Sequence, residues 1–239
     1  MFSEYEKFSG DYYFRAYNSS VAVQRYWVRT RTNTLLEEIV RRLPKNSRIL
    51  DLGCGSGVFI EKLKEKGFKN IIGLDINLEH LKYSLTIDKN NTLVLGKGEE
   101  LPFRRKFDAV ICAEVIEHTK EPFKMLKEMR RILKPGGLLF ITTPNKKSSF
   151  PILWEMWKRW KGKIWSGKEL HETDFTPASL KELMEKSGFD VIRTRTILSV
   201  SYLIPFFERK GWVIDIIPDK IGFGCLILLI ARKSACKPS

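Results

Sequence analysis

The sequence predicts an α/β fold, a doubly wound, mainly parallel sheet of seven strands with helices on both faces. Three observations carry this prediction. Short apolar runs alternate with amphipathic helical segments along the chain. A glycine-rich turn follows the first apolar run. Polar or glycine residues stand where successive strands end, at Asp51, Asp75, Gly98 and Glu114, and folds of this kind bind their ligands at the carboxyl ends of the strands.

The strands are predicted from apolar runs that are too short for ordinary helices and are bounded by turn or charged residues. They cover residues 48–52, 70–75, 92–95, 107–113, 138–143, 191–198 and 221–231. The last of these is the longest apolar run. It is too short to span a bilayer and is therefore interpreted as a buried strand.

The helices are predicted from apolar residues at helical spacing and from residues that start or stop a helix. Ser19 or Ser20 starts a helix that Pro44 stops, whereas residues 1–18 show no clear period. Gly67 closes the second helix, and Thr176 with Pro177 opens the last one. The helices after the first are predicted at 58–66, 78–85, 122–132 and 179–186.

The turn of residues 53–57 presents backbone N–H groups to a ligand at the start of a helix. Its spacing, Gly-x-Gly-x-Gly, differs from the Gly-x-Gly-x-x-Gly of dinucleotide-binding turns. Asp51, just before the turn, would repel a pyrophosphate but suits a ligand that carries an ammonium group, as S-adenosylmethionine does. In these residues the chain resembles the class I S-adenosylmethionine-dependent methyltransferases, and the resemblance extends over residues 45–233.

The resemblance implies a Rossmann-like sheet whose last strand is antiparallel, with S-adenosylmethionine as the cofactor. Asp75, which stands 18 residues after Gly57, is expected to accept hydrogen bonds from both ribose hydroxyls. Lys97 replaces an Asp of the family, so we expect it to face solvent while backbone N–H groups nearby hold the adenine. The expected cofactor-binding residues are Asp51, Gly53, Cys54, Gly55, Gly57, Asp75, Ile76, Gly98, Glu99, Ala113 and Glu114.

The predicted domain organisation is an N-terminal helical cap, residues 1–44, followed by a methyltransferase domain, residues 45–239. The cap helix either packs simply on the sheet or flanks the cofactor pocket. A basic, Trp-rich insertion at about 145–171 leaves the end of the fifth strand, and its apolar residues fall on one helical stripe. Three roles are open for it: a lid over the acceptor, peripheral contact with an anionic membrane, or contact with nucleic acid. The stripe consists of Leu153, Met156, Trp157 and Trp160.

Two carboxylates and two imidazoles are the candidate catalytic groups. Glu114, Glu117 and His118 are spaced i, i+3 and i+4, so they share one face if a helix begins at Glu114, and His171 follows the insertion. Glu117, His118 and His171 are the candidate bases for removing a hydroxyl proton. The same pattern resembles ubiquinone-pathway O-methyltransferases and small-RNA 2′-O-methyltransferases, in which such residues hold a divalent cation. All four residues are therefore candidate ligands for Mg²⁺, Mn²⁺ or Zn²⁺. Alternatively the site is metal-free and Glu114 lines the cofactor pocket.

Composition bears on the binding partners and the cellular location of the protein. With 42 Lys and Arg against 28 Asp and Glu, the formal charge is +14, which suits either an anionic partner or a thermophile's Lys-rich surface. Four cysteines without a Cys-x-x-Cys pair, and no segment resembling a signal peptide, predict reduced thiols and a cytoplasmic location.

The function predicted from the sequence is methyl transfer to a small-molecule or lipid-like acceptor, on oxygen. Two alternatives stay open: a metal-dependent RNA 2′-O-methyltransferase, and a non-catalytic protein that binds S-adenosylmethionine. The basic charge and the acid–histidine pattern favour the RNA acceptor, whereas the lack of a recognisable RNA-binding module counts against it. The intact acidic and glycine residues of the cofactor motifs argue against a protein that has lost its cofactor.

Overall fold

The computed structural model describes residues 9–20, 22–104, 106–148, 171–198 and 224–235. The Trp-rich stripe of the predicted insertion lies outside these residues, as does the start of the predicted seventh strand at 221–223. The strands are β1 (Arg48–Leu52), β2 (Asn70–Asp75), β3 (Thr92–Leu95), β4 (Phe107–Ala113), β5 (Leu133–Pro144), β6 (Phe189–Ile197) and β7 (Leu226–Lys233). The helices are α1 (Tyr12–Tyr17), α2 (Ala22–Arg42), α3 (Val58–Glu65), α4 (Leu78–Ile87), α5 (Pro122–Ile132) and α6 (Pro177–Lys186), with a 3₁₀ turn at Ile116–His118.

The seven strands form one sheet in the order β3-β2-β1-β4-β5-β7-β6. The pairs β1–β2, β2–β3, β1–β4 and β4–β5 are parallel, whereas β7 is antiparallel to both of its neighbours. The chain moves outward from β1 to β3 and then crosses to β4 on the other side of β1. The topological switch point, where such sheets bind ligands, therefore lies between β1 and β4. The predicted fold, including the antiparallel last strand, is confirmed.

The core lies on both faces of the sheet because successive strand residues point to opposite sides. On one face Ile49 packs with apolar residues of α2 and α3, among them Ile39 and Leu63. On the other face Leu50 packs with residues of α5 and α6, among them Met129. Since α2 shares the core of the sheet, its apolar face accounts for the predicted packing of the cap helix. The division of the chain at residues 44 and 45 stays a prediction.

Two elements differ most from the expectations. Helix α1 lies in a segment that shows no sequence period, and it is only six residues long. Strand β5 begins at Leu133, five residues before the predicted start, because a register shift opposite Phe107 and Ala109 takes the Lys-Pro-Gly-Gly segment into the strand. Among the described ranges, no helix combines the length and the apolar composition that a membrane crossing needs.

Candidate active site

The glycine turn has a backbone that other residues would strain. Gly53 and Gly55 have φ values of 75° and 53°, in the left-handed region. The N–H groups of Gly53 and Cys54 both donate to the carbonyl oxygen of Leu74, at 2.7 and 3.0 Å, which joins the turn to the end of β2. A Cβ at Gly53 would lie 2.3 Å from Val115 Cγ2. The turn therefore needs glycine for both conformation and space.

Gly57, the third glycine of the turn and an expected cofactor-binding residue, lies at the start of α3. It has a φ of 80° and caps α3. A Cβ there would lie 2.2 Å from Ser84 Oγ of α4, so its small size lets the two helices approach each other. Gly57 is absent from the cavity wall that the other glycines of the turn help to form. It supports the binding turn through the packing of α3 on α4 and does not line the cavity.

An open cavity lies over the carboxyl ends of β1, β2 and β4, with about 1210 Å³ of empty space counted out to its mouth. Every expected cofactor-binding residue except Gly57 lines this cavity, which we call the cofactor cavity. These lining residues are Asp51, Gly53, Cys54, Gly55, Asp75, Ile76, Gly98, Glu99, Ala113 and Glu114.

Asp75 is held in place by the backbone around it. Its Oδ2 accepts a hydrogen bond from the N–H of Gly55 at 2.7 Å, and its Oδ1 accepts one from the N–H of Asn77 at 2.8 Å. Asn77 is the residue that caps α4, because its side chain accepts from the N–H of Glu79. A carboxylate has about four acceptor positions. Asp75 therefore retains acceptor capacity toward the cavity while its rotamer is fixed.

Asp51 is a buried carboxyl group with an unused acceptor. Only 3% of the residue is exposed, and its Oδ2 has no hydrogen-bond partner among the described residues. Burial raises the pKa of Asp51 to about 7, the nearby Asp75 adds to this, and Arg31 opposes it. A cationic group placed beside Asp51 would remove this penalty. The site thus fits the ammonium group that the sequence predicts there.

Glu114 is a half-buried residue of the cavity wall, with its Oε1 atom buried, at an unusual backbone position. Its φ is 58°, and its N–H donates to the carbonyl oxygen of Thr142 at 2.9 Å. Its Oε1 has no hydrogen-bond partner in the described part of the chain. Burial raises the pKa of Glu114, and Arg31 opposes this shift. Together with Asp51 it gives this part of the cavity wall two carboxyl groups whose ionised forms a cationic ligand group would stabilise.

Helix α2 forms one wall of the cavity through Val28, Arg31, Thr32 and Leu35. These positions are spaced i, i+3, i+4 and i+7, so they lie on one face of the helix. Leu35 also belongs to the core. The two roles considered for the cap helix are therefore both observed, since α2 packs on the sheet and also flanks the pocket. The spacing was available in the sequence, but nothing local distinguished Arg31 from the other arginines of the helix.

Tyr13 and His80 also line the cavity, and the sequence did not single them out. A Cβ at Gly55 would lie 2.5 Å from the Tyr13 ring, so α1 closes directly over the glycine turn. The rings of Tyr13 and His80 meet edge to face with centroids 5.3 Å apart. Nδ1 of His80 is 3.5 Å from Oδ1 of Asp75. These contacts depend on tertiary packing and have no sequence pattern.

The loop after β3 brings Gly98 and Glu99 to the cavity, as expected. Gly98 is buried, and a Cβ there would lie 2.7 Å from Met125 Cε. Lys97 lies on the cavity wall and is exposed, which agrees with the expectation that it faces solvent.

Cys54, Cys112 and Cys225 are free thiols in the described chain. Burial raises the pKa of Cys54 well above its usual value, so this thiol is neutral and is not a nucleophile.

Glu117, His118 and His171 lie together and are called the histidine cluster below. One ligand atom from each lies within 4.8 Å of the others, and the two imidazole centroids are 5.2 Å apart. The N–H groups of Glu172 and Thr173 donate to the carbonyl oxygen of Glu117, at 2.8 and 3.0 Å, and this brings His171 to the 3₁₀ turn. His118 also lines the cofactor cavity.

Glu117 supplies the buried carboxylate of the histidine cluster. It is 2% exposed, its Oε2 accepts from the Thr143 hydroxyl at 3.1 Å, and its Oε1 has no hydrogen-bond partner among the described residues. Burial raises the pKa of Glu117 well above its usual value, and Glu114 adds to this. An orphaned carboxylate oxygen beside two imidazoles fits a divalent cation.

No α-helix begins at Glu114, so the condition for a shared helical face of Glu114, Glu117 and His118 is not met. The positive φ at Glu114 turns the backbone, and the segment that follows is a 3₁₀ turn, Ile116–His118. The side-chain spacing argument for an α-helix therefore does not apply. Glu114 is not part of the group of possible metal ligands that the described residues form, and it lines the cofactor cavity instead.

Comparisons with known proteins agree with this geometry. A family model described as a methyltransferase domain matches residues 24–194. The ubiquinone biosynthesis O-methyltransferase of Cereibacter sphaeroides is 32% identical over 158 residues, covering 61% of this chain and 61% of that protein. The protein of the same name from Pseudomonas aeruginosa is 31% identical over 107 residues, covering 41% of this chain and 45% of that one. The chain thus spans about half the length of the curated relatives it matches.

A solved structure shows the same fold over nearly the whole chain. It is the methyltransferase in a complex with the Haloferax volcanii Trm112 methyltransferase activator, with a TM-score of 0.65 and 21% identity, covering 93% of this chain and 98% of that one. The matching family model covers more than half of the chain. The chain belongs to the methyltransferase-domain family and has a Rossmann-like methyltransferase fold.

Proposed function

We propose that this enzyme methylates an oxygen atom of a small-molecule or lipid-like acceptor. The observation that carries the proposal is the histidine cluster, which joins the cofactor cavity through His118. Acceptor hydroxyls need a group that removes a proton during transfer, and this cluster offers two imidazoles and a carboxylate for that purpose. The names of the ubiquinone biosynthesis O-methyltransferases that the chain resembles support oxygen as the acceptor atom.

The placement of the cofactor follows from the charges of the cavity. Asp75 accepts from the ribose hydroxyls, and the backbone of Gly98 and Glu99 holds the adenine. Asp51 and Glu114, each with a buried and unused acceptor atom, face the ammonium and sulfonium groups. Arg31, on the opposite wall, pairs with the methionine carboxylate of the cofactor, since it is the cavity's guanidinium and already acts on both buried carboxyls.

The reaction is an in-line displacement. A lone pair of the acceptor oxygen attacks the methyl carbon as the carbon–sulfur bond breaks, and the bonding electrons stay on sulfur to give S-adenosylhomocysteine. The hydroxyl proton goes to Nδ1 or Nε2 of His118, the member of the histidine cluster that lines the cavity. Positioning the three reacting atoms in a row supplies much of the rate, and the buried walls exclude competing water.

A divalent cation fits the histidine cluster. Glu117, His118 and His171 would hold Mg²⁺, Mn²⁺ or Zn²⁺ through one carboxylate and two imidazoles, and the buried Oε1 of Glu117 would gain the partner it lacks. Such an ion, when bound, would lower the pKa of an acceptor hydroxyl. Membrane or nucleic-acid contact through the Trp-rich insertion remains a prediction.

A transfer assay with methyl-labelled S-adenosylmethionine tests the proposal. The probes are a catechol, a hydroxylated lipid, a primary amine and an RNA oligonucleotide, each with and without chelator. We expect label on the catechol or the lipid, lost in chelator and restored by Mg²⁺, Mn²⁺ or Zn²⁺. Transfer to the amine or the RNA alone would contradict the acceptor class. Full activity of metal-stripped enzyme in excess chelator would remove the cation and leave His118 as the base.

A further inference from the structure

We propose that Thr119 is a positioning residue that couples cofactor binding at the loop after β3 to the placement of His171. The inference rests on the proposed function, in which the histidine cluster handles the acceptor hydroxyl. Thr119 directly follows the 3₁₀ turn, lines the cofactor cavity and is 4% exposed. It makes hydrogen bonds in two directions, one set from its side chain and one from its backbone.

The side chain of Thr119 is bonded to the cofactor loop. Its hydroxyl donates to Oε1 of Glu99 and accepts from the N–H of Glu121 at 3.0 Å. A threonine hydroxyl has one proton, so its donor is committed to Glu99. Since the backbone of Glu99 is expected to hold the adenine, any adjustment of this loop on cofactor binding passes to Thr119.

The backbone of Thr119 is bonded to the segment that carries His171. Its carbonyl oxygen accepts from the Thr173 hydroxyl at 3.0 Å. The N–H of Thr173 is bonded in turn to the carbonyl oxygen of Glu117. His171 is two residues before Thr173, so a small shift of the turn moves the imidazole relative to His118. One buried residue thus joins the adenine loop and the histidine cluster by direct hydrogen bonds.

A second route between the same sites has to be separated from this one. His118 lines the cavity and its ring lies against the ring of His171, so the cofactor can also influence His171 through ring contact. That route does not use the Thr119 hydroxyl. Removing the hydroxyl while keeping the shape of the side chain therefore distinguishes the two, and Thr119→Val does this with little change in volume.

The composition of the chain offers a direct probe, because it contains only three histidines, His80, His118 and His171. Their ¹³C-labelled imidazoles can be followed by NMR while S-adenosylhomocysteine is titrated into wild type, Thr119→Val, Thr119→Ser and Thr173→Val. His80 lies beside Asp75 and reports cofactor binding itself. In wild type we expect the resonances of His80 and His171 both to shift.

In Thr119→Val we expect the cofactor-induced shift of His171 to fall by about threefold or more while that of His80 persists, because the coupling but not the site is lost. Its affinity for S-adenosylhomocysteine should weaken by roughly threefold to tenfold, since Glu99 loses a donor. Thr119→Ser should restore both values. Thr173→Val removes the hydrogen bond from the Thr173 hydroxyl to the Thr119 carbonyl oxygen. This variant should lose the His171 response, while its affinity for S-adenosylhomocysteine stays within about twofold of wild type. It decides the question alone if Thr119→Val fails to fold.

An unchanged His171 response in the folded valine variants would overturn the coupling and assign it to the ring contact. A wild type in which His80 shifts and His171 does not would overturn it as well. If no imidazole shifts and calorimetry detects no binding, the cofactor placement fails and the coupling fails with it. A coupled His171 response in an enzyme that transfers no methyl group to any hydroxyl would support Thr119 and reject the proposed acceptor.

Discussion

The glycine turn and the histidine cluster lie at neighbouring strand ends but are assembled in different ways. The turn takes its shape from consecutive residues, with positive φ at Gly53 and Gly55, and its backbone N–H groups are bonded to the end of the adjacent strand. The cluster joins residues far apart in the sequence, through backbone bonds from Glu172 and Thr173 to Glu117. The first can be predicted from a motif, whereas the second depends on the folded chain. Cofactor binding and methyl transfer should therefore be separable by mutation.

The largest expected effect is on the turn itself. Gly53→Ala would place a Cβ 2.3 Å from Val115 Cγ2 at a φ of 75°, so we expect binding of S-adenosylhomocysteine to be abolished in calorimetry. Gly136→Ala is the matched control, because Gly136 has a φ of 73° but no atom within 4 Å of the added Cβ. It should cost about 1–2 kcal/mol of stability and leave cofactor affinity unchanged. Equal losses of affinity in both variants would show that steric fit at the turn is unimportant.

The next effect concerns the ribose. Asp75→Ala should weaken binding of S-adenosylmethionine by roughly 2 kcal/mol, about thirtyfold, the value of two hydrogen bonds to a charged group less what water restores. Asp108→Ala serves as the control. Asp108 also accepts a backbone N–H, from Arg48 at 2.8 Å, but at the amino end of β4. The control should lower the unfolding temperature without changing cofactor affinity, and an unaltered affinity in Asp75→Ala would remove that residue from the ribose role.

A smaller effect is a pH dependence of cofactor binding. The pKa of Asp51 is about 7 because the group is buried, and the ammonium of the cofactor prefers its ionised form. Affinity for S-adenosylhomocysteine should therefore rise with pH up to about 7 and then level, with a slope of up to about tenfold per pH unit below that value. Asp51→Asn should bind weakly with a flatter profile. An identical profile in wild type and variant would assign the dependence to other groups, such as Glu114.

The same group affects the stability of the cofactor-free protein, with the opposite sign. The pKa of Asp51 is higher in the folded protein than the value of about 3.9 expected after unfolding. The folded state thus holds this proton more tightly, and the contribution of Asp51 to stability is lost as the pH rises through about 7. Denaturant unfolding of wild type should show this loss between about pH 4 and pH 7 relative to Asp51→Asn, and level above about pH 7. A steeper loss in the variant would contradict it.

The sequence predicted the parts of the fold that are locally encoded. The bounds of β2, β3 and β4 match the expectations because each apolar run is closed by a turn or by charged residues. The start of β5 was missed since Pro135, Gly136 and Gly137 are read as a break, whereas a bulge accommodates them in the strand. Helix α1 was missed because its stability comes from packing on the turn and on α4 rather than from an apolar period.

The candidate site could be predicted only where a residue follows a strand or a glycine. Asp51 and Asp75 were found in this way. Glu114 was also predicted to line the cofactor pocket, but the turn at this residue was not foreseen, because a positive φ in a residue other than glycine has no signature in a single sequence. Arg31 and His80 reach the cavity from helices whose orientation only the packed core determines. The proximity of His171 to Glu117 was expected from family resemblance, and its physical cause, the bonds to the Glu117 carbonyl, became visible only in the fold.

The most direct test of the separation between cofactor binding and transfer is a paired measurement on His171→Phe. This change keeps an aromatic ring against His118 but removes both nitrogens. His171 is absent from the cavity wall, so we expect the calorimetric affinity for S-adenosylhomocysteine to stay within about twofold of wild type. Turnover of the hydroxyl acceptor should fall by about 100-fold or more, as for the loss of a catalytic proton acceptor or cation ligand. Wild-type turnover, or a loss of cofactor affinity as large as the loss of turnover, would contradict the account.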